Sequence, residues 1–272
     1  MTEKQVRALV ITGFGLNCEA ETTAAFDLCG AAAEQVHLND LQAAPERLRD
    51  YHILAFIGGF SFGDHLGGGT AFASRVKHHL GAELERFIDD GKLIIGICNG
   101  FQTMARMGLV PAVDDQYLTV QAALAQNDQG VFRDDWVTLT ANPQSPCVFT
   151  RGVERLQLPI RHGEGKFVVG DDALLQKLES GNQVVLRYAD PETGRPATAF
   201  PANPNGSRNA IAGVCDRTGR VFALMPHPEA YLSPWNHPHW CRQKLQGTLP
   251  QEGSGVVFFR NAVAYAAAEL LD

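Results

Sequence analysis

The amino-acid sequence predicts an α/β protein: an open, mostly parallel, twisted sheet with helices on both faces, extended by a small β-rich part. Three observations carry this prediction. Short apolar runs alternate with longer amphipathic stretches through the first hundred or so residues, as βαβ units require. Several of those runs end in glycine-containing turns. No internal repeat or low-complexity linker divides the 272 residues, and 45% of them are hydrophobic, so one full core is the expectation. A single domain over residues 1–272 follows, with an extended loop at about 231–255.

Taken in order, Arg7-Ala8-Leu9-Val10-Ile11-Thr12 reads as a strand closed by the tight loop Gly13-Phe14-Gly15. A helical pattern starts at Asn17 or Cys18, with Ala20, Ala24, Phe26, Leu28 and Ala31 on its apolar face. Glycines after a strand hint at a phosphate loop, but the full GxGxxG is absent and a dinucleotide site is not the reading. Gln35-Val36-His37-Leu38 and His52-Ile53-Leu54-Ala55-Phe56-Ile57 are the next strands. The latter ends in Gly58-Gly59-Phe60-Ser61-Phe62-Gly63-Asp64, backbone exposed at the strand edge where open α/β sheets bind ligands. After Gly67-Gly68-Gly69 a helix runs roughly from Phe72 to Asp90, with His78 and His79 on its surface. Ile94-Ile95-Gly96-Ile97 is a buried strand that passes through Cys98 into a helix from about Asn99 to Met107, stopped at Gly108.

The middle is richer in β pattern. Residues 117–125 alternate, and Trp136-Val137-Thr138-Leu139-Thr140 and Val184-Val185-Leu186-Arg187-Tyr188 read as strands. Between these two lies the glycine-spaced Leu158-Pro159-Ile160-Arg161-His162-Gly163-Glu164-Gly165-Lys166, read as irregular, where a histidine is not a core filler. Asn203-Pro204-Asn205-Gly206-Ser207 is a turn by residue type. Two strands joined by Asp216-Arg217-Thr218-Gly219 form a hairpin, and the second runs into Pro226-His227-Pro228-Glu229. After the loop from Tyr231 to Gly255, residues 256–271 close the chain as a helix.

Composition excludes several function classes. A formal charge of −7 and a pI near 5.7 leave no basic footprint for nucleic acid. No apolar run approaches the roughly 20 residues of a membrane span. Met1 to Gln5 lack the apolar core of a signal peptide, so a cytoplasmic location is expected. The six cysteines contain no CxxC pair and read as reduced thiols, five of them, Cys18 included, as packing residues. His237, His239 and Cys241 match no common zinc spacing, and no metal is expected.

Cys98 alone has a reactive setting. Gly96-Ile97-Cys98-Asn99-Gly100 is the thiol counterpart of the Gly-x-Ser-x-Gly nucleophile elbow, and a helix N-terminus favours a thiolate. A nucleophile needs a base and the base an orienting group; His227-Pro228-Glu229 offers both, facing the same way if the stretch is extended. The Asn99 N–H, with that of Gly59 or Phe60, would form the oxyanion hole, where losing one donor typically costs ~3–4 kcal/mol. These residues specify acyl transfer from a cysteine.

Six segments carry a family resemblance: Gly15-Leu16-Asn17-Cys18-Glu19, Gly58 to Asp64, Gly96-Ile97-Cys98-Asn99-Gly100-Phe101-Gln102, His162-Gly163-Glu164-Gly165, Asn203 to Ser207, and Met225-Pro226-His227-Pro228-Glu229. With them the chain resembles the class I (triad) glutamine amidotransferases, and within these the glutaminase subunits of phosphoribosylformylglycinamidine synthase, of de novo purine synthesis. The resemblance implies a flavodoxin-like glutaminase fold. It implies that Cys98 attacks the side-chain amide of L-glutamine, that His227 protonates the ammonia and then activates water against a thioester, and that Glu229 orients His227. Gln102 and His162-Gly163-Glu164 would help hold glutamine. Ammonia would pass to a separate synthetase subunit that binds ATP and Mg, a small third subunit can take part, and this chain would carry no cofactor. Ala230 departs from the family's usual basic residue, the loop at 231–255 is longer than a minimal subunit needs, and Phe259-Arg260-Asn261-Ala262 is similar to the tail of the single-chain form. The alternatives are an amidotransferase subunit for another acceptor, a non-catalytic binding module on the same fold, and an unrelated cysteine hydrolase.

Overall fold

Strands with no polar face can be satisfied only between two layers of helices. The computed structural model, which describes residues 5–271, places them there. Met1 to Lys4, on which the leader-peptide expectation rests, lie outside the described residues. The order is β1 (Arg7–Thr12), α1 (Glu19–Leu28), β2 (Ala32–His37), α2 (Leu38–Ala43), β3 (Ile53–Phe56), α3 (Thr70–Asp89), β4 (Leu93–Ile97) and α4 (Asn99–Met107). It continues β5 (Ala122–Ala125), β6 (Arg133–Ala141), β7 (Arg155–His162), β8 (Lys166–Val169), α5 (Asp172–Ser180), β9 (Val184–Ala189), β10 (Ile211–Cys215), β11 (Val221–Leu224), α6 (Trp240–Leu245) and α7 (Val256–Glu269).

Nine strands form one sheet in the order β2-β1-β3-β4-β11-β10-β9-β6-β7, and β5 pairs antiparallel with β8 beside it. From β2 to β11 neighbours run parallel; from β11 onward they run antiparallel. Every residue of β3, β4 and β11 is buried, which is why these runs carry no alternation. The crossovers β1-α1-β2 and β3-α3-β4 travel in opposite directions along the sheet, so right-handed connections put α1 and α3 on opposite faces. α7 joins α1, with Phe26 and Phe259 edge to face at 5.0 Å, and α4 packs with α3. The reversal of strand order between β1 and β3 opens a crevice at their carboxyl ends. There the loops after the two strands meet in an antiparallel bridge between Leu16 and Gly59.

Several elements differ from the sequence reading. α2, a 3-10 turn at Pro45–Asp50 and α5 were not anticipated, because elements of six to nine residues show little periodicity. Only Ala122–Ala125 of the alternating stretch 117–125 is strand. The segment 158–166 is not irregular: it is the end of β7, a short link and the start of β8. The loop at 231–255 holds a 3-10 turn, Pro234–Asn236, and α6, none of whose residues is buried. Among the described residues, no helix is long and apolar enough to cross a membrane.

α4 sits tightly on β3 because Gly100 has no side chain: a Cβ there would run into the Phe56 carbonyl. Gly100→Ala should lower stability by about 1–3 kcal/mol. Urea unfolding should show it as a lower midpoint at unchanged slope.

Candidate active site

The site is built where β4 turns into α4. Cys98 adopts φ 52°, ψ −106°, a left-handed conformation that costs a non-glycine residue about 1–3 kcal/mol. Its N–H donates to the Leu224 carbonyl of β11 (2.9 Å) and its carbonyl accepts from Gln102 (3.0 Å), so the strained corner is held from both sides. The buried thiol donates to the Arg161 carbonyl at the end of β7 (3.5 Å).

β11 is the parallel neighbour of β4, with Leu224 opposite Ile97, and the chain beyond it delivers His227 to the same edge. The His227 N–H donates to the Pro159 carbonyl of β7 (2.8 Å). Its Nδ1 lies 2.5 Å from the Glu229 carboxylate, and both side chains are buried. The two residues do not share an extended stretch as expected. Residues Pro228–Ala230 form a 3-10 turn that brings the carboxylate round to the ring.

Two buried histidines stand in this region with opposite electrostatics. Burial alone would lower the His227 pKa, but the charges of Glu229 and Cys98 outweigh it and hold the imidazolium well above its usual range. Among the described residues, His162 has no carboxylate partner. Burial, and then the positive charge of His227, push it down to about 3, and its Nδ1 pairs with the Asn127 side-chain oxygen at 3.1 Å.

Cys18 also belongs here, although its type alone reads as packing. Its thiol is buried against the imidazole, and a Cβ on Gly58 would lie 2.8 Å from the His227 ring and 2.9 Å from Cys18 Sγ. Burial pushes that thiol up to about 11, so it is protonated at neutral pH. The available signal was its position on the loop after β1, at the crevice. Cys18, His227 and Glu229 bring three metal-type donor atoms within 4.8 Å of one another. His227 and Glu229 are already joined by their hydrogen bond and the thiol keeps its proton, which suits proton transfer better than metal binding. In the other histidine-cysteine group His237 packs against Trp136 and bonds Gln157 through Nε2 (2.9 Å), while Cys241 is exposed.

Beside Cys98 lies a cavity of about 130 Å³ whose walls include Gly59, Phe60, Gln102, His162, Gly163 and Glu164. Asp64, Phe132 and Arg161, none of them singled out from the sequence, complete it, and the Phe60 and Phe132 rings approach to 6.1 Å. Behind the wall the Asn99 amide donates to Gln102 Oε1 (2.8 Å) and Asp64 Oδ1 (3.0 Å), and Gln102 Nε2 donates to the Glu164 carbonyl (2.7 Å). As the first residue of α4, Asn99 has a backbone N–H with no acceptor within the helix. Of the two other expected donors, the Phe60 N–H is taken by the Gly15 carbonyl (2.9 Å), whereas the Gly59 N–H makes no backbone bond in the bridge. Gly59 has φ +141°, and a Cβ would stand 2.6 Å from the Leu16 Cα, so this approach requires glycine.

The turn Asn203 to Ser207 is present but is buried rather than superficial. Asn205 donates to the Gly165 carbonyl (2.8 Å) and Ser207 Oγ accepts from the Phe167 N–H (2.9 Å), fixing the link that carries Gly163 and Glu164.

Fold and site define a class. A family model described as the CobB/CobQ-like glutamine amidotransferase domain matches residues 5–266, and the chain belongs to this family. Among its relatives is the protein named phosphoribosylformylglycinamidine synthase subunit PurQ of Dehalococcoides mccartyi, 44% identical over 96% of this chain and 98% of that one. The protein of the same name from Methanococcus maripaludis is 42% identical over 95% of this chain and 97% of its own. A solved structure named as PurLQS from Thermotoga maritima superposes with a TM-score of 0.70 at 32% identity, covering 96% of this chain and 99% of that chain.

Asn205→Ala would remove the buried side-chain bonds to the Gly165 carbonyl, the Tyr188 hydroxyl and the Ser207 N–H, a loss of about 1–3 kcal/mol. A lower thermal midpoint together with a raised KM for the substrate of the cavity is the expected result.

Proposed function

We propose that this chain is the glutaminase subunit of a phosphoribosylformylglycinamidine synthase, releasing ammonia from L-glutamine for a synthetase subunit of purine biosynthesis. The observation that supports it most is the buried Cys98, His227 and Glu229 at adjacent strand ends, beside a cavity the size of a small metabolite. Relatives bearing that subunit's name over nearly the full length of both chains support the choice of acceptor pathway. The likeness to a chain of an assembly named PurLQS supports a synthetase partner and a small third subunit. ATP and Mg belong to the synthetase in this reading, which also keeps the chain in the cytoplasm.

In the first half-reaction the Cys98 thiolate attacks the side-chain carbonyl carbon of glutamine. The oxyanion is met by the Asn99 N–H and a second donor from Gly59 or Phe60. The carbon–nitrogen bond breaks as protonated His227 gives its Nε2 proton to the leaving nitrogen, producing ammonia and a thioester. Neutral His227 then takes a proton from water, hydroxide adds to the thioester, and the thiolate leaves with release of glutamate. Glu229 holds the tautomer and stabilises the imidazolium. Gln102, His162, Gly163 and Glu164 hold the substrate. Because the Gly15 carbonyl occupies the Phe60 N–H, the resting hole lacks that donor, and docking of the synthetase would complete it by local rearrangement.

Reconstitution tests the reading. With the synthetase, ATP, Mg and formylglycinamide ribonucleotide, glutamine should yield the amidine, and glutaminase activity should exceed that of the chain alone by tenfold or more, the loss of one donor being worth on the order of 10²-fold. A γ-electrophilic glutamine analogue should label Cys98 in that complex. No amidine at saturating glutamine would defeat the proposal.

The His227 shift sets a pH profile. Its pKa is raised, so the imidazolium needed for acylation persists through neutral pH and is lost as pH rises through the raised value. The alkaline limb of kcat/KM should therefore lie well above 6.5. Glu229→Gln removes a charge that raises the pKa, so the limb should move to lower pH, and kcat should fall on the order of 10²-fold.

A further inference from the structure

Cys18 forms and breaks no bond in the reaction proposed for this site, yet it is built against the base. It is buried on the loop that follows β1, and its carbonyl accepts from the Thr22 N–H (3.1 Å) and hydroxyl (2.6 Å) of α1. The same loop is tied to the end of β3: the Asn17 N–H donates to the Gly58 carbonyl (3.2 Å), and Leu16 bridges to Gly59. Cys18 Sγ lies within 4.8 Å of a ring nitrogen of His227 and of a Glu229 carboxylate oxygen. The fit is close. Because a Cβ on Gly58 would crowd both Sγ and His227 Cε1, only glycine leaves room for the two. The thiol is also oriented, its single proton going to Asn17 Oδ1 (3.5 Å) and its lone pairs being left for other groups.

The base has a matching need. Nδ1 of His227 is paired with Glu229 Oε1, while His227 Nε2 and Glu229 Oε2 are buried with no hydrogen-bond partner among the described residues. A charged ring withdrawn from water depends on the electron-rich atoms around it. Glu229 from the turn after β11, Cys98 from the elbow and Cys18 from the loop after β1 all favour the charged form, and His162 from the end of β7 opposes it. Glu21, in the first turn of α1, lines a cavity with Cys18 and His227.

We infer that Cys18 is a positioning residue for proton transfer: its sulfur holds the imidazolium form of His227 in place, ready to protonate the departing nitrogen. This rests on the glutaminase reading and deepens it by naming a support for the base besides Glu229. The thiol keeps its proton, so it steadies the charged ring without becoming a second nucleophile beside Cys98. Cys18 acts through His227 alone.

The test uses the full chain with its synthetase and follows ammonia release from L-glutamine against pH in the wild type, Cys18→Ser and Cys18→Val. Cys18→Ser keeps an acceptor in a smaller side chain, whereas Cys18→Val keeps the bulk and loses the acceptor. In Cys18→Val the alkaline limb of kcat/KM should move down by about one pH unit, a roughly tenfold effect of the order expected for one hydrogen bond to a charged group. Cys18→Ser should keep its limb near the wild-type position, and the glutamine KM at the optimum should stay nearly constant in both. A packing role predicts the reverse order, because valine fills the space and a buried hydroxyl is the costlier replacement. The limb belongs to the active molecules, so its position does not depend on the folded fraction. A wild-type limb in Cys18→Val, or a limb in Cys18→Ser lower than in Cys18→Val, would overturn the role of Cys18 and leave the glutaminase reading standing. A wild-type complex that releases no ammonia from glutamine, with Cys98 unlabelled by the γ-electrophile, would overturn both.

Discussion

The pairing of β4 with β11 is the constraint on which the site depends. Parallel register sets Leu224 opposite Ile97, and the Cys98 N–H closes the ladder on the Leu224 carbonyl. The strand that ends in the thiol and the strand that leads to the imidazole therefore finish at the same edge of the sheet. A one-residue slip would turn each buried side chain of β11 to the opposite face and carry His227 away from Cys98. Total burial of both strands makes such a slip expensive, so the register is set by the core rather than by the reacting groups. β7 adds a third point, its Pro159 and Arg161 carbonyls receiving the His227 N–H and the Cys98 thiol.

Around this frame the protein uses burial in two opposite ways. His227 and His162 are both withdrawn from water, yet one is held charged and the other neutral. The difference is the Glu229 carboxylate at 2.5 Å, which together with Cys98 and the hydrogen bonds to the ring outweighs desolvation at His227 and has no counterpart at His162 among the described residues. The charged His227 in turn helps keep its neighbour neutral. Cys18 extends the pattern: a second thiol beside the same ring remains a thiol, because burial there exceeds the stabilising effect of the imidazolium.

The elements that the sequence makes legible are those whose physics is local. A buried run followed by Gly-x-Cys-x-Gly, a hairpin closed by Asp216 to Gly219 and a His-Pro-Glu after a strand each show themselves in a few consecutive residues. What stayed hidden depends on distant neighbours. Asn205 and Ser207 have ordinary turn residue types, and only the chain folding back shows that they hold the Gly165 carbonyl and the Phe167 N–H. His162 looks like part of an irregular loop because Pro159 breaks the residue pattern of its strand, β7, and its cross-strand partner Arg133 is distant in the chain. Cys18 is indistinguishable from a packing cysteine until the Leu16–Gly59 bridge brings its loop to the crevice. Short helices such as α2 and α5 lack the length for a period to emerge.

The position of β11 in the sheet also governs when the site comes into being. β11 lies at the centre of the sheet but near the end of the chain, between β4 and β10. During synthesis the segments carrying β1 to β4 leave the ribosome first, with the strained Cys98 corner still missing the Leu224 carbonyl that steadies it. His227 and Glu229 arrive beside it only when residues 221–229 insert against β4. The long-range closure that completes the sheet thus also brings the imidazole to the thiol, so an unfinished chain carries Cys98 without His227 beside it.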